Sequence, residues 1–268
     1  MIAIAQFLAI SCYLGAAALA AVPFARPVKA PVRGVTAALG LGVAAHAIGL
    51  LTFAIRSSAV PLTGLGPSLS FAGVVLAFTL LVVELLARDV SLTLVAAPLA
   101  AVPTISANVI GMTPGMAAEG LRGAWLFAHI TLSFVGIASF ATAAAAGTMY
   151  LVQRHELKSR RFGALFRFFP PLATLDRVNH FAAIAGWLGL TLGVVLAASY
   201  SVAYHELNLP QLVWGSGAWL AVTCIAIGRM ARGWQAQRAA KYSSVAFVAV
   251  LVLYVAFRMA GPGTGQFL

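Results

Sequence analysis

Charged residues are scarce in this chain. Only 9% of its 268 residues are Asp, Glu, Lys or Arg, whereas 62% are hydrophobic, and soluble domains carry roughly 25% charged residues. A water-soluble fold of this length has too little polar surface to cover so much apolar surface. The chain is therefore predicted to be an integral membrane protein, whose solvent is lipid.

Cysteine and the sequence signatures of catalysis are scarce as well. Cys12 and Cys224 are isolated within apolar runs, so neither a CxxC pair nor a Cys/His zinc spacing is present. The glycine-rich stretches "GLGPSLS" and "GPGTG" do not join a strand to a helix, as a phosphate-binding loop would. No nucleophile–base pair stands out in the sequence, and we do not expect an enzyme.

Long polar segments are also missing, and the composition does not shift along the chain. Residues 1–268 are therefore predicted to form a single polytopic membrane domain. The first apolar run has no basic residues before it, and Arg26, Lys29 and Arg33 follow it instead. A cleaved signal peptide has the opposite order, so residues 2–22 are predicted to be a retained first span.

Apolar stretches long enough to cross a bilayer occur eight times, since a spanning helix needs about 20 apolar residues. The fifth stretch is longer than a bilayer requires and is expected to extend into the cytoplasm. The pattern predicts an all-α integral membrane protein, a bundle of about eight transmembrane helices. The predicted spans are 2–22, 34–55, 67–87, 91–110, 123–152, 178–201, 211–230 and 242–260.

Basic residues are distributed unequally between the two sides of these spans. The loops after spans 1, 3, 5 and 7 hold 14 of the 17 basic residues, and the other side holds only Arg56, Arg122 and Arg258. The positive-inside rule then places both termini outside, in a bacterial-type inner (cytoplasmic) membrane. The net charge of +11 reflects this asymmetry and an attraction to anionic lipid, so the bilayer is the expected partner and nucleic acid is not.

Two features near the predicted cytoplasmic side have structural explanations. Glu84 lies four residues before Arg88, so the two are expected to form a snorkelling i, i+4 pair near the cytoplasmic end of a span. The loop "RHELKSRRFGALFRFFPPLATLDR" spaces its phenylalanines at helical intervals before two prolines. It is therefore predicted to hold an amphipathic segment at the membrane surface.

Two histidines lie well inside predicted spans, whereas His180 lies near the cytoplasmic start of the sixth span. His46 is ten residues from the outer marker Arg56, at a depth of about 15 Å, and His129 is seven residues from Arg122, at about 10 Å. Ionisable groups within a membrane are candidate functional sites, and a neutral imidazole is a common ligand of haem iron. The alternative is a polar tie between helices, with partners such as Thr131 or Ser133. His46 and His129 are therefore candidate iron ligands, with the structural alternative open.

Aromatic residues and a further histidine accompany these two. Trp125 lies one helical turn before His129 and shares its face. Trp214 and Trp219 lie at the outer end of the seventh span, after His205 in the preceding loop. Tryptophans at this level form interfacial belts, or offer flat surfaces on which a macrocycle stacks. We therefore add Trp125, His205, Trp214 and Trp219 to the candidate haem-binding residues.

Several stretches of the chain resemble one family of membrane proteins. They are "HAIGLL", "TPGMAAEGLRGAWLFAHITLSFVGIASFATAAAAGTMYLVQ", "LDRVNHFAAIAGWLGLTLGVVLA" and "LPQLVWGSGAWL" followed by "RGWQAQRAAKYSSVAFVAVLVLYVAF". Together they resemble the cytochrome c assembly proteins of the CcsA/CcmC/ResC type, and especially their smaller HemX- and YpjD-like relatives. The resemblance implies haem as the cofactor and other cytochrome c maturation proteins, or a larger membrane complex, as partners.

The resemblance also assigns roles to particular residues. In the family, a tryptophan-rich outer segment binds haem, and two flanking histidines ligate the iron. His129 matches the first flanking histidine, and Pro210, Trp214 and Trp219 match the end of the tryptophan-rich motif. The WGxxWGWD core is replaced by "SVAYHELNL", and no histidine follows the last cytoplasmic turn. The motif is therefore degenerate in this chain.

Three functions are compatible with these observations. The first is a haem-handling protein of cytochrome c assembly or haem homeostasis that binds or presents haem near the outer face. The second is a non-catalytic scaffold or accessory subunit that kept the fold and lost the haem site. The third, a small-solute transporter, predicts discontinuous helices and an internal repeat. Gly73, Pro98 and Pro103 interrupt spans 3 and 4, but the two halves show no convincing duplication.

Overall fold

Eight long α-helices account for most of the computed structural model. It describes residues 1–260 apart from 26, 27, 29, 88, 89, 116–119, 161–167 and 206–208. All eight helices are long and apolar enough to cross a membrane, so the predicted all-α membrane fold is confirmed. The helices are α1 (Ile2–Ala20), α2 (Val32–Ser57), α3 (Leu65–Ala87), α4 (Thr93–Ile110), α5 (Gly120–Ser159), α6 (Leu172–Tyr204), α7 (Leu209–Met230) and α8 (Ala236–Ala260).

The length of α5 agrees with the expectation from the sequence. Its 40 residues make a helix about 60 Å long at 1.5 Å per residue. The hydrocarbon core of a bilayer is about 30 Å thick. About half of α5 therefore extends beyond that core, although the predicted amphipathic segment that follows lies mostly outside the described residues.

The chain divides into two compact units, the first containing α1 to α4 and the second containing α5 to α8. In the first unit, α1 packs against α2 and α4, and α3 packs against α2 and α4, so the four helices form a ring. In the second unit, α5 packs against α6 and α8, and α7 packs against α6 and α8. Each unit is thus a four-helix bundle. The assignment of all residues to a single domain stays a prediction.

Helices α3 and α4 are continuous at the glycine and prolines that the sequence suggests as interruptions. Gly73 lies inside α3, and Pro98 and Pro103 lie inside α4. The space at Gly73 is taken by the Thr104 hydroxyl of α4, with which a Cβ would collide. This glycine therefore serves close helix packing, and the discontinuous helices of a transporter are not seen in these two spans.

Glu84 is more deeply buried than a snorkelling side chain would be. Its side chain is only 2% exposed, and the Thr93 hydroxyl of α4 donates a hydrogen bond to its Oε1. The predicted partner Arg88 lies outside the described residues. A carboxylate on a single helix looks like a surface residue in sequence, but the packing of α3 against α4 encloses it and supplies a hydroxyl donor.

Backbone contact between α5 and α6 shapes the second unit. A Cβ added to Gly136 would lie 2.7 Å from the Leu190 backbone nitrogen, and one added to Gly189 would lie 2.9 Å from the Gly136 Cα. Small residues at such contacts allow two membrane helices to approach closely. The glycines therefore set the spacing at which polar groups on α5 can reach the backbone of α6.

Candidate functional site

The His129 ring is held by a backbone carbonyl of the neighbouring helix. Its Nδ1 lies 2.8 Å from the carbonyl oxygen of Gly193 on α6. A carbonyl oxygen only accepts hydrogen bonds, so Nδ1 carries the hydrogen. In the neutral ring, the lone pair is then on Nε2. Proteins commonly orient a metal-binding histidine in this way, through a hydrogen bond donated by its other ring nitrogen.

The glycine contact between the helices explains why His129 reaches a carbonyl. Gly193 lies four residues after Gly189, one turn along the same face of α6. A Cβ at Gly193 would lie 2.6 Å from the Ser133 Oγ of α5. The absence of a side chain at Gly193 thus leaves room for the Ser133 hydroxyl against α6. The sequence therefore positions the histidine through glycines that are far from it along the chain.

Two further side chains of α5 donate to α6 on the same face. The Trp125 indole nitrogen donates to the Leu196 carbonyl at 3.1 Å, and the Arg122 Nε donates to the Tyr200 hydroxyl at 2.6 Å. Residues 122, 125 and 129 are spaced by three and four, as neighbours on one helix face are. Trp125 and His129, predicted to share a helix face, thus both take part in a series of hydrogen bonds from α5 to α6.

Tyrosines complete an aromatic and cationic group at this end of the unit. The Trp125 ring packs edge-on against Tyr200 and Tyr204, at centroid distances of 6.3 and 6.2 Å. The Arg122 guanidinium lies 5.6 and 5.1 Å from the centroids of the same two tyrosine rings, within cation–π range. We call Arg122, Trp125, His129, Tyr200 and Tyr204 the His129 cluster.

Arg122, Tyr200 and Tyr204 were missed as site residues in the sequence. In the sequence, Arg122 looks like a charge at the outer end of a span. Its spacing of seven from His129 carried the signal, because residues i and i+7 lie on the same helix face. The tyrosines are an i, i+4 pair near the end of the next span, but nothing in the sequence shows that this pair meets Arg122.

Trp214 and Trp219 lie in the same unit but are engaged elsewhere. The Trp214 indole donates to the Val250 carbonyl at 3.3 Å, and the Trp219 indole donates to the Thr191 hydroxyl at 3.0 Å. Both rings pack against the apolar core of the unit and are only partly exposed. Both tryptophans therefore help to pack α7 into the second unit.

His205 caps the end of α6 and is exposed. It adopts a left-handed backbone conformation with φ of 54°. Twelve residues of continuous helix separate it from Gly193, the contact of His129, which corresponds to about 18 Å along the axis. The structure does not bring His205 and His129 together.

His46 lies in the first unit, in a buried polar network. Its Nδ1 is 3.1 Å from the Tyr13 hydroxyl of α1, and its Nε2 is 2.8 Å from the Ser70 hydroxyl of α3. Gln6 also donates to the Ser70 hydroxyl, at 2.9 Å. The His46 side chain is fully buried, and both of its ring nitrogens have partners that join three helices.

The fold and the His129 cluster define a class of protein: a multi-pass membrane protein with a buried polar network in one bundle and a partly exposed histidine in the other. Residues 34–264 match the family model described as "Cytochrome C assembly protein". The chain belongs to this family. The described residues include eight helices long and apolar enough to span a membrane, which implies contact with the lipid bilayer.

A protein of Azospirillum brasilense is similar to part of the chain. It is described as "Uncharacterized 28.8 kDa protein in nifR3-like 5'region" and is 33% identical over 87 residues. The similar segment covers 32% of this chain and 31% of the relative, so it spans less than a third of either protein. No solved structure matches the chain.

Proposed function

We propose that the protein binds haem at the His129 cluster and presents it near the outer face of a bacterial inner membrane. The available Nε2 of His129 carries this proposal, because the Gly193 carbonyl fixes the opposite nitrogen of the ring as a donor. The proposal assigns the chain to the HemX- and YpjD-like members of its family, with a degenerate tryptophan-rich motif. Other cytochrome c maturation proteins would then receive or supply the haem.

The chemistry of the His129 cluster suits haem in three respects. His129 offers a nitrogen lone pair, the usual protein ligand of haem iron. The rings of Trp125, Tyr200 and Tyr204 offer apolar aromatic surface for a flat macrocycle. The Arg122 guanidinium offers a partner for a propionate carboxylate. When bound, the haem would supply an iron centre to which the Nε2 of His129 could coordinate.

We assign a different role to His46. Ligation of iron by this residue would break a hydrogen bond to Tyr13 or Ser70 within a fully buried site. A buried hydroxyl left without its partner is costly. We therefore propose that His46 is the polar tie between helices that the sequence left open as its alternative, and that His129 is the protein's iron ligand.

Hemin binding by the purified protein tests the role of His129. In detergent, the wild-type protein is expected to develop a Soret band on addition of hemin, and His129→Ala is expected to lose that band because the axial ligand is gone. Added imidazole should restore it by occupying the vacated position. His155→Ala is the matched control, because it removes an exposed histidine of the same helix. A Soret band of equal intensity in both variants would rule out His129 as the ligand.

The role of Arg122 predicts a difference between two ligands. Arg122→Gln is expected to weaken hemin binding by about tenfold or more, because a charge-assisted hydrogen bond contributes about 1.5–3 kcal/mol. Hemin dimethyl ester, which lacks the carboxylates, should bind both proteins equally. Titration of each ligand followed by absorbance measures this, with Arg56→Gln as an outer-side control. Equal weakening for both ligands would mean that Arg122 acts only through packing.

An accessory subunit without haem is the second candidate function. The hydrogen bonds of Trp214 and Trp219 favour this function, because both indole nitrogens donate to groups of their own unit, the Val250 carbonyl and the Thr191 hydroxyl. Under this alternative, His129→Ala would restore cytochrome c maturation in a strain that lacks the protein as fully as the wild type does. The protein would also co-purify with a larger complex and remain colourless with hemin.

A further inference from the structure

A polar cleft lies at the opposite end of the second unit from the His129 cluster. It is formed by the first turns of α6, the end of α7 and the turn that follows, and its volume is about 470 Å³. The charge asymmetry of the loops predicts that this end faces the cytoplasm. Its lining includes Asp176, Arg177, His180, Phe181 and Arg229, none of which belongs to the proposed haem site.

A nearly buried arginine organises this cleft. The Arg229 side chain is 6% exposed. Its Nη1 donates to the Asp176 carboxylate at 2.7 Å, its Nη2 donates to the Asp176 carbonyl at 3.0 Å, and its Nε donates to the His180 Nδ1 at 3.3 Å. All three of its nitrogens are engaged within the protein. Arg229 therefore holds the other two side chains in place.

The hydrogen bonds to Arg229 determine what the cleft offers to a ligand. Because His180 accepts at Nδ1, the hydrogen of its neutral ring is on Nε2, which is then a donor. The Asp176 side chain is 36% exposed and remains an accessible acceptor. The Asp176–Arg229 pair is neutral overall, so the exposed Arg177 gives the cleft a positive charge. Donors for an anion and a carboxylate for a cation thus lie in one cleft.

An apolar stripe continues from the cleft along α6. Phe181 lines the cleft and is 63% exposed. Further along α6, Leu188, Leu192 and Val195 are 51%, 52% and 57% exposed. At 100° per residue, these four positions fall within about 60° of one another around the helix. The stripe is therefore a continuous apolar surface that begins at the cleft and runs toward the membrane centre.

We propose that this cleft binds the headgroup of a phosphoethanolamine lipid. Arg177 and the Nε2 of His180 bind the phosphate, and the Asp176 carboxylate binds the ammonium group. The acyl chains lie along the stripe that begins at Phe181. Basic pockets between helices on the cytoplasmic side bind the phosphate-bearing headgroups of anionic lipids. The carboxylate favours a zwitterionic headgroup over an anionic one, and the stripe favours a lipid over free phosphate.

Native mass spectrometry of protein released from nanodiscs tests this proposal. The nanodiscs contain equal amounts of phosphatidylethanolamine and phosphatidylglycerol. The wild-type protein is expected to retain phosphatidylethanolamine preferentially, and Arg177→Gln to retain about tenfold less, because one charge-assisted contact is lost. Arg154→Gln, which removes an exposed arginine predicted to face the same side, should retain as much lipid as the wild type.

Several outcomes would overturn the proposal. One is equal retention of phosphatidylethanolamine by the wild type and Arg177→Gln, and another is a preference for phosphatidylglycerol. A third is displacement of the lipid by millimolar inorganic phosphate. The last would indicate a site for a free anion. Hemin titration of Arg177→Gln should match the wild type, because the cleft and the His129 cluster lie at opposite ends of the unit. A failure of haem binding would therefore leave the lipid result unaffected.

Discussion

Replacement of Gly136 by alanine is expected to lower the free energy of unfolding by about 2 kcal/mol. The added methyl would lie 2.7 Å from the Leu190 backbone nitrogen and 2.8 Å from its Cγ. A backbone atom cannot turn away as a flexible side chain can, so α5 and α6 must separate. Overpacking of this kind costs about 1–3 kcal/mol, more than the gain of up to about 1 kcal/mol in helix propensity.

The same substitution elsewhere in the unit is the control. Gly215 lies in α7, and a Cβ there meets no atom within 4 Å, so Gly215→Ala is expected to be neutral or slightly stabilising. Unfolding of both variants by a denaturing detergent, followed by circular dichroism, measures the difference. If the two variants were equally stable, the backbone contact at Gly136 would not set the helix spacing.

A second alanine tests whether the contact between Gly136 and Gly189 causes the loss of stability. Gly189→Ala should destabilise the protein in a similar way, because its Cβ would lie 2.9 Å from the Gly136 Cα. Once the helices have separated for one methyl group, the second should cost less. The double variant is therefore expected to lose less stability than the sum of the single losses, as residues in direct contact do.

Replacement of His46 by alanine is expected to lower the free energy of unfolding by about 3 kcal/mol. Interhelical hydrogen bonds in membranes average about 0.6 kcal/mol each, and His46 has two such partners, Tyr13 and Ser70. The cavity left by a large buried side chain adds about 2 kcal/mol or more. Tyr13→Phe, which removes one hydroxyl and leaves no large cavity, should cost about 1 kcal/mol or less.

The same variant separates the two roles considered for His46. If His46 is a polar tie, its loss should reduce the stability of the protein and leave the Soret band of the hemin complex unchanged. The band is measured at a temperature where the variant is folded. As an iron ligand, its loss should shift or remove that band. His155→Ala again serves as the control, since an exposed histidine at the end of a long helix should affect neither property.

The contrast between His46 and His129 bears on how the protein works. Both histidines lie within predicted spans, yet His46 has partners at both ring nitrogens and is fully buried. His129 is partly exposed, and its Nδ1 is the ring nitrogen that ties it to Gly193. A ligand that must be acquired and passed on requires an accessible site. Under the proposed function, this requirement favours His129 over His46 as the residue that would bind haem.

The amino-acid sequence by itself determined the class of fold and the faces of individual helices. The run lengths predicted eight spans, and the spacing of Trp125 and His129 placed both on one face of α5. These features are local: a bilayer requires about 20 apolar residues per crossing, and helical periodicity fixes which neighbours share a face. For this reason they can be read from a single stretch of chain.

Only the tertiary structure decided which faces meet. Packing of α3 against α4 buried Glu84, and the contact of α1, α2 and α3 gave His46 two partners. The glycine contact between α5 and α6 brought Arg122 to Tyr200 across 78 residues of sequence. Such contacts depend on the size and shape of side chains on two distant segments at once, and no local pattern records which segment will be the neighbour.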